Sequence, residues 1–342
     1  MSSNDDGEKT LMPPTWPLLV FYGMSIVSLP LYFLVFVCLL RLRCFAKTYN
    51  TTFYSILLQH CIADILSMFF FFVTNPARSI PVVRQFYFAY QQFYIAAASY
   101  NFIYYSLYIR CTGIVLLSFQ RYLIITAPTS MLTLVRFLSI PICIVSFPFQ
   151  RVQNASRLEI ILVYWSLPTL LSLVVLKDVD FYFESLENMA IIAEQDIIKR
   201  NTLMALIVVS VTCVLCSLAY GALFVFVRKH AVGLSRSLRR EVHLAFQVFV
   251  LLLAFFAILV YYAFQNYFSQ THNTGPIFYM RALYPMANGL LSYINPFCIL
   301  FLNKDLAYQV IRSLTCHKYK VSEVQISVIP SNSNKQHKKH RN

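Results

Sequence analysis

Seven stretches of this chain are long and apolar enough to cross a bilayer, and most of the charge lies in the short segments between them. They are Pro17–Leu40, Phe53–Val73, Phe93–Phe119, Leu158–Leu176, Thr202–Val227, His243–Phe264 and Ile277–Leu302. A spanning helix needs about 20 mostly apolar residues, because in hydrocarbon every backbone polar group must find its partner inside the segment. Composition excludes a water-soluble globule: 58% of the 342 residues are apolar and 12% are charged. That is about half the charge of a soluble domain and leaves too little polar area to cover its outside. Aromatics at 16% with only 7 glycines exclude a disordered or collagenous chain. The expected fold class is all-α, a seven-transmembrane helix bundle.

An eighth stretch, Leu132–Phe149, is interrupted by Arg136 and contains Pro141 and Pro148. Its longest uncharged run, Phe137–Gln150, has 14 residues and is short for a span. It reads as interfacial or irregular. Net charge is +14, but it is not gathered on a soluble face, so a membrane surface fits better than nucleic acid. With seven spans, six Lys and Arg fall on the N-terminal face and twenty on the other, while Arg110 and Arg281 lie within spans. Positive charge stays inside, which places the N-terminus outside and the tail in the cytosol. An eight-span chain also obeys the rule, with 18 against 7, and puts the N-terminus in the cytosol. Charge counting leaves both topologies open.

The first sixteen residues are acidic and polar, and the run after them is long enough to remain as an anchor, so no cleaved signal peptide is expected. None of the nine cysteines falls in an outward loop of the seven-span chain. Cys213 and Cys216 have CxxC spacing but sit within an apolar span, where ordinary packing is the expected role. Asn50 and Asn154 head glycosylation sequons that face the cytosol in this topology; glycan on Asn50 would favour the inverted one.

The third span ends Gln120-Arg121-Tyr122, the second holds Ile62-Ala63-Asp64, the fourth holds Trp165 and Pro168, and the seventh ends Tyr293-Ile294-Asn295-Pro296. In this order they resemble the third-helix arginine motif, intramembrane aspartate, fourth-helix tryptophan and NPxxY element of rhodopsin-like G-protein-coupled receptors. Two longer segments, Leu57–Asp64 and Tyr284–Pro296, resemble nematode serpentine chemoreceptors of the class gamma (Srg) superfamily over roughly Pro17–Leu314. The resemblance implies a sensory-neuron receptor that detects a small environmental molecule and signals through a heterotrimeric G protein. There are departures. Gln120 replaces the usual acid, Ile299 stands where the NPxxY tyrosine belongs, and the sixth span lacks its Trp and Pro. The fifth span also lacks its Pro, and the disulfide to the third helix is missing. If the family pattern runs from Thr133 to Val152, residues 134–151 are an insert ending Phe-Pro-Phe-Gln, as a translated nematode intron terminus would encode. Continuous message through these codons would refute that origin.

Buried ionisable residues are costly unless paired. Asp64 and Arg110 each lie eleven residues from the cytosolic end of their spans, about 16 Å at the helical rise. The resemblance implies a sodium ion near the aspartate, faced by the position of Arg110. A bidentate pair, with Arg110 as a tethered cation in the ion's place, is therefore expected. Asn295 is the alternative partner. Asp64, Arg110, Asn295 and Pro296 make up the expected buried polar switch. Towards the outer end a tyrosine-rich layer offers ligand contacts from Tyr100, Tyr104, Tyr261, Gln265, Tyr279, Arg281 and Tyr284, walls that suit a small, mostly apolar ligand. An interfacial aromatic belt is the plain alternative. At the inner mouth Arg121, Tyr122, Arg236, Arg239 and Arg240 are the expected G-protein contacts, and the basic residues also meet anionic membrane lipid. Leu306, Val310 and Leu314 share one face of a short amphipathic helix after the seventh span, and Cys316 beyond it is a palmitoylation candidate. The acidic segment Lys177–Arg200 reads as a solvated loop, with an outward lid as the alternative.

The expected organisation is an outward N-terminus over residues 1–16, a receptor domain over 17–302 and a cytosolic tail over 303–342. No HExxH, Gly-rich phosphate loop or outward acid–base pair is present, so neither an enzyme nor a bound cofactor or metal is expected. The competing class is a ligand-gated channel or transporter with a cytosolic N-terminus, although the sequence shows no convincing internal repeat.

Overall fold

Each apolar run forms one helix, and most of the helices continue past the run at their polar ends. A computed structural model describes residues 16–45, 49, 51–126, 157–177, 180–183, 185–186, 189, 191–229, 236–271, 274–302 and 304–314. The acidic leader, Asn50, Asn154, the Leu132–Phe149 stretch with its insert, Cys316 and the rest of the tail lie outside them. The chain runs α1 Trp16–Phe45, α2 Thr52–Ser79, α3 Pro81–Ala89, a 3-10 turn at Gln91–Phe93 and α4 Ile95–Thr126. After α5, Arg157–Val175, strands β1 Tyr182–Phe183 and β2 Ile191–Ile192 precede α6 Gln195–Lys229, α7 Arg236–Gln270, α8 Thr274–Leu302 and α9 Lys304–Leu314.

Helices α1, α2, α4, α5, α6 and α7 are each long and apolar enough to cross a membrane. The seventh span is α8, which passes together with α9 as a pair bent by 95°. The bundle is the expected seven-helix one. Prolines sit inside α1 (Pro30), α5 (Pro168) and α8 (Pro285 and Pro296). Membrane helices tolerate the lost hydrogen bond because neighbouring groups supply partners. Helix α2 stops where Pro81 opens the short helix α3, an element that the periodicity of the sequence did not suggest.

Helix α4 is the most enclosed of the first six spans and packs against α2, α5, α6 and α7. Helix α8 closes against α1 and α7, and α9 packs on α1. Large apolar side chains point outward, among them Ile26 and Phe33 on α1, Leu162 and Leu170 on α5 and Phe224 on α6. Serines, asparagines and the ionic pair point inward. This polarity suits a solvent as apolar as leucine, in which packing and interhelical hydrogen bonds hold helices together. On α9, Leu306 and Val310 are buried while Tyr308 and Ile311 are exposed. Cys213 and Cys216 are free and buried in α6, and Ser118 donates to the Cys216 sulfur at 3.4 Å.

Candidate functional site

Three layers of side chains occupy the bundle, named outer, middle and inner in order from the end that carries the β1–β2 hairpin to the end that carries Arg121. The middle layer is polar. On α2, His60, Asp64 and Ser67 share one face, and on α8 Asn288, Ser292 and Asn295 do the same at helical spacing. Arg110 enters from α4 and Tyr32 from α1. Asp64 is 0% exposed and Arg110 1%.

Arg110 Nε lies 2.9 Å from Asp64 Oδ1. Its two terminal nitrogens turn away from the carboxylate, so the pair is not the expected bidentate one. Nη1 donates to Asn288 Oδ1 at 2.5 Å and to the Asn288 carbonyl at 3.1 Å, and Nη2 donates to Ser292 Oγ at 2.5 Å. The reason is placement. The guanidinium reaches across to α8, which offers three acceptors there, and a guanidinium has only donors to give. The same logic orients Asn288: its oxygen must face Arg110, which frees its amide nitrogen to donate to Ser67 Oγ at 3.2 Å.

Asp64 is bound from its other side as well. Tyr32 donates to Oδ2 at 2.5 Å, Asn295 Nδ2 at 3.1 Å, and Ser292 Oγ lies 3.5 Å from Oδ1. Asn295 Nδ2 also contacts the Tyr32 hydroxyl. Asn295 thus serves the aspartate rather than Arg110. His60 Nε2 lies 3.7 Å from Asp64 Oδ2, and its Nδ1 is 3.1 Å from the Tyr164 hydroxyl on α5. Gly113 on α4 lies directly under this bridge. A Cβ there would sit 2.6 Å from the Tyr164 oxygen and against the His60 ring, so only glycine lets α2 and α5 join hands over α4.

The outer layer is aromatic. Tyr100 and Tyr104 share a hydrogen bond of 3.2 Å, Tyr261 donates to the Met280 carbonyl at 2.7 Å, and Tyr284 donates to the Ile103 carbonyl at 3.0 Å. The rings of Tyr261 and Tyr284 lie 6.0 Å apart, and Phe71 meets Tyr284 edge-on at 5.7 Å. Four of the expected ligand residues, Tyr100, Tyr104, Tyr261 and Tyr284, are therefore brought to one layer. Gln265 is half-buried, while Arg281 is exposed and Tyr279 is 45% exposed.

The segment before α6 is not a solvated loop where it is described. Strands β1 and β2 pair antiparallel, Tyr182 opposite Ile192 and Phe183 opposite Ile191. Phe181 packs its ring 4.3 Å from that of Tyr100, Phe183 stacks on Tyr87 at 6.5 Å, and the Phe183 N–H donates to Gln91 at 2.9 Å. Apolar residues set between the acids fold inward, where counting charge alone suggested water. Phe181, Phe183, Met189 and Ala193 are all buried.

At the inner end Gln120, Arg121 and Tyr122 are buried. The Arg121 guanidinium carbon stands 3.2 Å above the centre of the Phe53 ring on α2. A ring face attracts a cation, which gives Arg121 a restraint despite the Gln beside it. Arg236, Arg239 and Arg240 lie in the first turns of α7, with side chains outside the description.

A family model described as Serpentine type 7TM GPCR chemoreceptor Srv matches residues 21–316. The chain belongs to this family. The likeness to nematode serpentine chemoreceptors is thus supported, with Srv rather than Srg as the matching family. No curated protein matches the chain significantly.

Sequence reasoning missed several residues of this Srv receptor's polar layer: Tyr32, Ser67, Asn288, Ser292, His60 and Tyr164. For Asn288, Ser292 and Asn295 a signal was present, since polar residues at i, i+4 and i+7 in an apolar run mark an inward stripe. His60 likewise lies one turn before Asp64. Nothing local marks Tyr32 or Tyr164, because a tyrosine in a span also suits the interface.

Proposed function

We propose that this Srv receptor binds a small environmental molecule among the outer tyrosines and couples it to a heterotrimeric G protein at Arg121. The observation that carries this reading is the sealed Asp64–Arg110 pair, tied by hydrogen bonds to α1 and α8 and standing between the tyrosine layer and the inner arginine. Asp64, Arg110, Asn295 and Pro296 form the switch between the two ends. A ligand shifts the inner helix ends only by binding the active arrangement more tightly than the resting one. Tyr100, Tyr104, Tyr261 and Tyr284 are the ligand contacts, with Gln265 at the margin. Arg281 and Tyr279 receive the ligand at the entrance.

Arg121, Tyr122 and the basic start of α7 form the G-protein surface, with Arg236, Arg239 and Arg240 also facing anionic lipid. The N-terminus lies outside and the tail inside, as a plasma-membrane receptor of sensory cilia requires. We also place the Srv family beside the class gamma receptors that the seventh span resembles. Epitope tags at each end, probed on intact cells, test the orientation: an accessible N-terminus and a hidden tail are expected. Two hidden ends would favour a channel or transporter. With display confirmed, an odorant screen read out by G-protein activation tests the coupling, and ligand binding that leaves every G protein silent would overturn it.

A further inference from the structure

The hairpin that covers Tyr100 leans on an element with two unlike sides. Helix α3 and the 3-10 turn after it meet β1 along one of them: the Tyr87 and Phe183 rings stack at 6.5 Å, and Gln91 accepts the Phe183 N–H at 2.9 Å. The other side is bare. Val82 and Phe86, with Tyr90 at the C-cap, recur at every fourth residue and so share one helical stripe; they are 75%, 53% and 45% exposed. Phe93 and Tyr94, at the end of the turn, are exposed as well. The stripe carries no charge. Arg84, the cation of α3, is half-buried on the side that holds Tyr87.

Large apolar side chains left bare together mark a contact surface. Two facts say what covers this one. The first is height. The apolar span of α2 ends at Thr74 and the helix runs on to Ser79, about 8 Å further at the helical rise. The next span begins at Ile95, directly after Tyr94. The segment is thus tied at both ends to the rim of the bilayer, where the headgroup region is about 5–8 Å thick on each side. The second is continuity. Leu66, Phe69 and Val73 on α2 are exposed at i, i+3 and i+7, where a spanning helix meets lipid, and Ile80, exposed at the junction of the two helices, carries apolar surface on towards Val82.

We infer that α3 and the turn after it rest in the membrane leaflet at the hairpin end of the bundle, with Val82, Phe86 and Tyr90 at the boundary between headgroups and acyl chains, and that this lipid contact steadies the hairpin over Tyr100. Aromatic rings favour that boundary, and a tyrosine there keeps its hydroxyl among the headgroups while its ring enters the hydrocarbon. A short helix with an uncharged apolar stripe adds its own burial to that of the spans beside it. The consequence for the tyrosine layer is mechanical. Phe181, beside β1, packs its ring 4.3 Å from that of Tyr100, so a foot in the membrane fixes the cover as well as the helix.

The chain has two tryptophans, Trp16 and Trp165, so a full-length Trp16→Phe, Trp165→Phe receptor gives a dark background for Phe86→Trp. In nanodiscs holding one receptor each, the Phe86→Trp protein should be quenched more by phosphatidylcholine brominated near the headgroup than by lipid brominated near the chain ends. Phe69→Trp calibrates a lipid-facing site, and Glu194→Trp calibrates an exposed acid position, which acrylamide in the water should quench instead. A Phe86→Trp receptor quenched by acrylamide and not by lipid would mean a solvated stripe. One shielded from both would mean that another part of this chain covers it. Either result overturns the proposal. A second measurement leaves both tryptophans in place. Val82→Gln should make the α3 and β1 amides, that of Phe183 included, exchange hydrogen several-fold faster in nanodiscs while α4 is unchanged, and Val82→Leu should match the parent. Equal exchange in the Gln and Leu variants would show that lipid contact does not steady the hairpin.

Discussion

The middle and outer layers of the bundle bury polar atoms in opposite ways. In the middle, a carboxylate and a guanidinium are enclosed by neutral donors and acceptors from α1, α2 and α8. In the outer layer, neutral phenols and amides are buried with several oxygens left without a hydrogen bond, among them those of Tyr108, Gln265 and Asn266, whereas in the middle layer Asn295 Oδ1 is the side-chain oxygen so left among the described residues. The difference follows from what each error costs. An unpaired ion in a low-dielectric interior is intolerable, whereas an unpaired hydroxyl is a modest penalty. The middle layer is therefore charged and nearly closed, and the outer layer is neutral and less completely bonded.

The largest effect should come from breaking the middle layer's charge balance. Asp64→Ala or Arg110→Ala leaves a lone buried charge at a cost of about 3–5 kcal/mol, a large part of the total stability of an ordinary domain. Surface expression measured by flow cytometry should collapse in each. Asp64→Arg combined with Arg110→Asp restores neutrality and should recover part of it. A double variant as poor as the worse single would mean that α8, not the aspartate, holds Arg110.

A smaller effect tests whether the closed layer extends to α5. Gly113→Ala places a methyl against the His60–Tyr164 bridge, and overpacking of this kind costs about 1–3 kcal/mol. The purified receptor should melt several degrees lower, and Tyr164→Phe in the same background should return part of the loss by removing the oxygen that the methyl meets. No change in melting would show that the bridge swings aside freely.

The two layers also differed in how much of them could be read from the chain. The spans were legible because twenty apolar residues in a row have few other destinations. Asp64 and Arg110 were legible because a charge inside such a run stands out and demands a partner. Their geometry was not, since the choice between a bidentate pair and a shared guanidinium depends on how far α8 is rotated, and only packing fixes that. Tyr32 and Tyr164 carry no local mark that separates them from interfacial tyrosines. The β1–β2 cap was hidden by its acids, because Phe181 and Phe183 have meaning only beside Tyr100 and Tyr87 on other elements.

At the inner mouth, the contact between Arg121 and Phe53 offers a third and weaker case, a charge buried against a ring. Phe53→Leu keeps most of the volume and removes the ring face, worth about 0.5–2 kcal/mol. Basal G-protein activation, measured without ligand, should rise several-fold as Arg121 is released. Phe53→Tyr keeps a ring face and should stay near the parent. Equal activity in Leu and Tyr variants would show that the stacking does not restrain the arginine.

The smallest expected effect is none at all, and it tests the closed character of the middle layer most directly. The resemblance to rhodopsin-like receptors implies a sodium ion beside the aspartate, but here the Arg110 guanidinium is within 2.9 Å of that carboxylate. The cluster is already neutral, so a further cation gains no counter-charge and meets repulsion from Arg110. An ion stabilises a fold only in so far as it binds the folded state, so melting in sodium chloride and in choline chloride of equal ionic strength should agree. Arg110→Ser supplies the sensitive control. It restores an unpaired carboxylate, and whatever fraction folds should melt higher in sodium than in choline. Sodium stabilisation of the parent would mean that the guanidinium leaves the carboxylate often enough to admit an ion. Indifference in both proteins would mean that Tyr32 and Asn295 alone hold Asp64 content. The pattern expected, a silent parent and a responsive variant, requires the tethered cation to do what a free one otherwise would.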